Sequence, residues 1–289
     1  MNVAYRMQKF QDWITQQWVI SFGRRVNPSQ NLWLMGPFGE INGIGEKFIE
    51  QLTERENLEI VKDFESAGLL DSINNLNLSV HEISSLSKNV IDFYENTSAY
   101  RLKFKVKWNP VFKLFGYSVN RLFSQRINQL NIPVNRIHKS EDLTSEIIKL
   151  VCRETGELKY TLWLRKFRLT GKIIYSGIYS TCKVPSGNTC VKAVFPLPKG
   201  NATVILQPSV GDSGEPILNS SGERFGDAGF YFLLNDSKGN FWSKYIPSFT
   251  DKLTVTENKG KLRAVQTLKL WNITVSTFEY DLEKYHYGR

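Results

Sequence analysis

The sequence predicts an α+β protein in which a helical N-terminal part packs on a large antiparallel sheet that curls or forms an open barrel. Three observations lead there. Apolar residues in the first hundred positions recur at helical spacing. From about residue 143 onward, about ten strand-like runs follow one another, separated by short turns rich in Gly, Asn and Ser. A meander of that length cannot stay flat and must curl, close or split into two layers. With 289 residues, 41% of them hydrophobic and 13% aromatic, the chain can bury a sizeable core. The texture changes near residues 98 and 141. The expected parts are therefore 1–98, helix and loop; 99–140, a basic strand-plus-helix connector; and 141–289, an antiparallel β meander.

Residues 3–22 place Val3, Met7, Phe10, Ile14 and Trp18 at helical spacing, with Gly23 as the stop. Gly36, Gly39, Gly43 and Gly45 form a glycine-rich loop leading into a helix from about Glu46. This loop lacks a preceding strand, the third glycine of a dinucleotide fingerprint and the Lys-Ser/Thr ending of a phosphate loop, so it reads as a bend between helices. Residues 82–97 are expected to be helical. "RLKFKVKW" alternates Arg101, Lys103, Lys105 and Lys107 with Leu102, Phe104, Val106 and Trp108, the pattern of a half-buried strand with a basic outer face. Such a strand fits a sheet edge guarded by lysines. Pro110 then opens a helix whose apolar stripe is Val111, Phe115, Val119 and Leu122, bracketed by Lys113, Arg121 and Arg126.

In 172–182 one face carries Lys172, Ile174, Ser176, Ile178, Ser180 and Cys182, and the other Ile173, Tyr175, Gly177 and Tyr179, so both faces are partly apolar. Either one face lines a cavity or both belong to packed layers. Cys182 and Cys190 flank the turn "PSGN" and are expected to face each other as reduced thiols. With an odd count of three cysteines, no CxxC and no run of about 18 apolar residues, the expectation is a reducing compartment, with neither a zinc site nor a membrane-spanning helix. Arg6, Lys9 and Asp12 interrupt any signal-peptide core, so a cytoplasmic location is expected, with the periphery of a membrane as an alternative.

"GDSGEP", residues 211–216, matches the surroundings of the nucleophilic serine of chymotrypsin-like proteases, with Glu215 in place of a glycine. The rest of that site is missing. His81 lies in "SVHEISS", which opens a helix, and the first half of the chain lacks the strands of a first barrel. The motif therefore reads as a hairpin connection. A second acidic cluster, Glu215, Glu223 and Asp227 beside Arg224, has the residues for acid/base chemistry, or for a solvated turn.

The net charge of +9 is regional: residues 101–172 hold 16 Lys and Arg against 5 Asp and Glu. Such a stretch suits phosphate, on a lipid or on RNA. The leading expectation is a non-enzymatic module that binds an apolar or lipid-like molecule with an anionic head group and needs no cofactor. Arg165, Lys166, Arg168 and Lys172 are the candidate head-group contacts, and Trp163, Tyr175, Tyr179 and Phe195 the candidate wall. An enzyme using Glu223 and Asp227, or a nucleic-acid binder using the basic region, are the alternatives; an anionic membrane surface is a further candidate partner.

Overall fold

In the computed structural model, residues 3–5, 9–39, 46–61, 67–113 and 141–285 are described; at 46, 47, 141 and 175 only the backbone is. The helix predicted from Pro110 is helical over 110–113, and its remainder, with Phe115, Val119 and Leu122, lies outside these residues, as do the glycines at 43 and 45. Among the described residues, four helices, α1 (Phe10–Phe22), α2 (Glu46–Glu56), α3 (Val80–Ser85) and α4 (Lys88–Glu95), precede residue 100. The strands are β1 (Arg24–Val26), β2 (Leu58–Val61), β3 (Tyr100–Trp108), β4 (Glu141–Cys152), β5 (Leu158–Phe167), β6 (Ile173–Lys183), β7 (Thr189–Leu197), β8 (Gly200–Val210), β9 (Pro216–Asn219), β10 (Gly229–Asn235), β11 (Phe241–Tyr245), β12 (Phe249–Asn258), β13 (Lys261–Leu270) and β14 (Ile273–Lys284). This is the α+β arrangement the sequence predicts, and the sheet closes.

Ten strands form a ring in the order β8-β7-β6-β5-β4-β3-β14-β13-β12-β9, and β9 returns to pair with β8. Every neighbouring pair is antiparallel. Closure depends on one long strand serving two partners along the same edge. Residues 200–205 of β8 pair with β10, while residues 207–210 pair with β9. The branch β10-β11-β1 leaves the barrel at this point. β4 divides in the same way, pairing near its start with β3 and near its end with β2. Closure removes the exposed edges that an open sheet of this length would leave.

The strand β3 is not an edge, contrary to the pattern of its lysines. It lies between β14 and β4, and its cations meet carboxylates on those neighbours. Lys103 pairs with Glu283 at 2.7 Å, Lys107 with Glu279, and Arg101 with Asp142. The inner residues Leu102, Phe104 and Val106 are buried, and Phe104 stacks on Phe278 of β14.

Two further expectations shift. The helix over 3–22 begins only at Phe10, and Phe10, Ile14, Trp18 and Phe22 face outward, while Asp12, Gln16, Val19 and Ile20 are buried. The reason is the anchoring of α1: the Gln16 amide donates to the Pro198 carbonyl at 2.8 Å, and Val19 and Ile20 cluster with Leu234 of β10. In β6 the strict alternation fails at a bulge. Arg165 pairs with Tyr175 but Lys166 with Ile173, which turns both Ile174 and Tyr179 toward the interior cluster and leaves Ile173 and Ile178 in the outer one.

Residues 67–99 cap one end of the barrel. The Asp92 carboxylate accepts from Tyr100 and Lys284, each at 2.6 Å, and Asn89 donates to Glu257 at 2.7 Å. Ser79 and Glu82 form a reciprocal capping box that starts α3. Gly68 is required by close approach, since a β-carbon there would lie 2.2 Å from the Glu95 carbonyl oxygen. Cys182 and Cys190 are direct partners across the β6–β7 hairpin, and both thiols are free. Burial pushes them up to about 11 and about 12, so neither is a ready nucleophile.

Candidate functional site

The barrel interior contains a cavity of about 100 Å³. Its wall comes from alternate residues of the barrel strands: Trp163 and Arg165 of β5, Tyr179 of β6, Phe195 of β7, Leu253 of β12 and Tyr280 of β14. The cap supplies Leu69, Leu70, Leu76, Phe93 and Tyr94. Most of this lining is apolar, which makes its polar members informative.

Arg165 is only 6% exposed. Its guanidinium lies 4.0 Å from the Trp163 ring centroid and 5.9 Å from that of Tyr280, and donates to the Tyr179 hydroxyl at 3.2 Å. The Trp163 indole is fixed in turn by donation to Ser145 at 2.8 Å. Across the cavity, Asp251 of β12 is buried. Its Oδ2 accepts from the Gln266 amide at 2.7 Å, while Oδ1 finds no hydrogen-bond partner among the described residues. Burial pushes this carboxyl up to about 7, with Gln266 opposing weakly. Burial likewise pushes the Tyr280 phenol up to about 12 and raises that of Tyr179, with Arg165 opposing in both.

Of the residues the sequence singled out, the fold brings Trp163, Arg165, Tyr179 and Phe195 onto one cavity wall. Lys166 points to the other side of β5, and Arg168 and Lys172 are exposed on the β5–β6 turn. These three cations do not join Arg165. The side chain of Tyr175 lies outside the described residues. Sequence reasoning missed Asp251, Gln266 and Tyr280. A signal for the first two was present: Asp251 is in phase with Leu253 and Val255, and Gln266 with Leu262, Ala264 and Leu268, so each is a polar residue at a core position of an alternating strand. Arg165, between Trp163 and Phe167, has the same signature.

The other candidates take structural places. "GDSGEP" forms the β8–β9 hairpin turn, where the Gly211 amide donates to the Glu215 carbonyl at 2.9 Å and the Ser213 amide to the Glu215 carboxylate at 3.0 Å. Asp227 closes its own turn by accepting from the amides of Glu223 and Arg224 at 3.3 and 3.2 Å. Tyr231 and Tyr245 hold the same turn by donating to the carbonyls of Asp227 and Gly222. Among the described residues, no group of three or more His, Cys, Asp and Glu side chains is arranged to hold a metal ion.

Gly177 faces the cavity wall, and Ile178 the close-packed layer beneath α2. A β-carbon on Gly177 would lie 2.9 Å from the Tyr179 ring and 3.0 Å from that of Phe195. Both rings border free space and can tip into it. Gly177→Ala is therefore expected to cost about 1 kcal/mol and Ile178→Phe about 3 kcal/mol, the two ends of the overpacking range. Urea unfolding of both variants checks this; equal costs would mean that the interior is as tightly filled as the outer layer.

No family model matches the chain, and no solved structure does. The "Uncharacterized membrane protein YndJ" of Bacillus subtilis strain 168 is similar to it, with 25% identity over 242 residues. That stretch is 83% of this chain and 41% of that protein, so the chain spans less than half the length of its relative. No helix among the described residues is long and apolar enough to cross a membrane.

Proposed function

We propose that this chain is a non-enzymatic binding module that takes an apolar or lipid-like molecule into its barrel, with an anionic group of that molecule held by Arg165. The observation that carries the reading is a guanidinium buried on aromatic faces at the wall of an apolar cavity inside the barrel. Burying a cation is costly, and a site that recognises a charge is a reason to retain one. The Tyr179 hydroxyl and the Asp251 carboxyl add hydrogen-bonding groups at the same cavity.

Size limits how the ligand enters. A cavity of about 100 Å³ is well below the roughly 300–1,000 Å³ of an ordinary ligand site. It holds the end of a chain or a small group, and a whole lipid requires part of the wall to move. The cap is the movable part, because the barrel wall is tied by continuous strand ladders, whereas the cap meets the cavity through side chains of short helices and turns. The relative's name supports placing this module at the periphery of a membrane, where lipid-like ligands concentrate. The three free cysteines support the cytoplasmic side.

The test is native mass spectrometry of freshly purified protein, followed by uptake of a fluorescent fatty acid and of its neutral methyl ester. The fatty acid is expected to bind with a Kd on the order of micromolar, and the ester more weakly. Hydrogen exchange in residues 67–99 is expected to change on binding. Absence of a co-purified lipid together with no uptake of either probe would overturn the proposal.

A further inference from the structure

The ends of the barrel differ in what they expose. At the end opposite the cap, three rim segments each present an apolar side chain to solvent. Leu169 on the β5–β6 turn is 94% exposed, Val111 just after β3 is 79% exposed, and Trp271 on the β13–β14 turn is 69% exposed, with Ile273 beside it. In the ring order β6-β5-β4-β3-β14-β13 these segments follow one another along a single arc of the rim.

Their flanking charges have one sign. Arg168 and Lys172 bracket Leu169, Lys107 and Lys113 bracket Val111, and Lys269 precedes Trp271; the stretches 168–172, 107–113 and 269–273 contain no Asp or Glu. The nearby carboxylates of Asp142 and Glu279 are tied to Arg101, Lys107 and Arg263. At the capped end the turns 153–157, 183–189, 211–215 and 258–261 carry both signs, Glu154, Glu157, Asp212 and Glu215 beside Arg153, Lys183, Lys259 and Lys261.

Trp271 adds a conformational argument. It and Asn272 both have positive φ, 48° and 63°, and together form a two-residue hairpin turn. Such turns favour Asn-Gly, and a bulky side chain at the first position is disfavoured. Folding alone gives no reason to keep an exposed indole there, whereas the boundary of a bilayer suits an indole, with its ring among acyl chains and its N–H among head groups.

From the charge complementarity and the exposed apolar tips of this rim, we infer that the end of the barrel opposite the cap docks on an anionic membrane surface, with Leu169, Trp271, Ile273 and Val111 entering the acyl boundary and Arg168, Lys172 and Lys269 meeting lipid phosphates. Separate convex tips suit insertion into a fluid surface better than a flat protein contact. A single-stranded nucleic acid would need several exposed rings along a groove, and among the described residues of these three segments Trp271 is the one exposed ring.

The test is co-sedimentation of the whole chain with phosphatidylcholine vesicles, with and without phosphatidylglycerol. Binding is expected with phosphatidylglycerol at low salt, falling as salt rises. The double variant Leu169→Glu, Trp271→Glu is expected to weaken it at least about tenfold. Arg168→Gln with Lys172→Gln is expected to flatten the salt dependence, and Val80→Glu at the capped end to change nothing. All the varied rim side chains are exposed, and circular dichroism confirms that the variants fold. Arg165→Met is expected to bind vesicles normally, so failure of the interior site and failure of the rim are separable. The inference is overturned if phosphatidylglycerol makes no difference, if the rim variants bind as well as the parent, or if binding is lost instead on Trp18→Glu and Phe22→Glu in α1. Tighter, equally rim-dependent binding of single-stranded RNA would also overturn it.

Discussion

Replacing Arg165 by methionine is expected to leave the protein at least as stable as the parent while weakening an anionic apolar ligand by at least about tenfold. Methionine matches the length of the arginine stem and fills irregular apolar space. Removing a buried charge in favour of an apolar side chain of similar size is often neutral or stabilising. The ligand, in contrast, loses a charge-assisted hydrogen bond worth about 1.5–3 kcal/mol, or roughly ten- to a hundredfold in Kd. Urea midpoints and titration with a fluorescent fatty acid and its methyl ester measure both halves. The ester is expected to bind the variant and the parent equally. A loss of several kcal/mol in stability, with binding unchanged, would make Arg165 a structural residue.

The second large effect belongs to Asp251. Its carboxyl is raised by burial from 3.8 to about 7. The folded state therefore holds a proton that the unfolded chain releases near pH 4. Stability from this group is fully present below about pH 4 and is lost as pH rises through about 7. A rise of that size corresponds to about 4 kcal/mol. An asparagine side chain at this position cannot ionise, so the stability of Asp251→Asn relative to the parent is expected to grow by about 4 kcal/mol between pH 4 and pH 8. Urea unfolding at those two pH values reads the difference directly, and a constant difference would show that Asp251 is ionised throughout. The same titration bears on binding. Below pH 7 the neutral Asp251 tolerates an anionic ligand beside Arg165, and above it the ionised carboxylate repels one. Fatty-acid affinity is expected to fall from pH 6 to pH 8 in the parent and to stay level in Asp251→Asn.

Much of this protein is legible in its sequence because its strands alternate and its turns are marked. The period of two in "RLKFKVKW" defines a half-buried strand and puts Phe104 and Lys105 on opposite sides. The turn residues separate β4 to β8 and β12 to β14 close to where the strands end. The short strands β1, β2 and β9 were not legible, since three or four residues carry no period and become strands only through their partners. The line at Pro247, where β11 ends and β12 begins, was blurred by the continuous run "FWSKYIPSF".

The site divides along the same line. Local pattern determined that Trp163 and Arg165 share a face and that Lys166 takes the other. Only the closed ring decided which face is interior, and with it that Arg165 is buried while Lys166, Arg168 and Lys172 are not. The bulge at Ile173 and Ile174 came from the register with β5, which no alternation within β6 encodes. The stripe on α1 reads as a core face, yet the contacts of Gln16 and Val19 turn it outward. Asp251, Gln266 and Tyr280 line the same cavity as Arg165 from strands some 85 to 115 positions away in the chain, because β9 returns to β8 and brings β12 to β14 around the same interior. Spacing along a chain determines which residues share a strand face, and pairing between distant strands determines which faces meet.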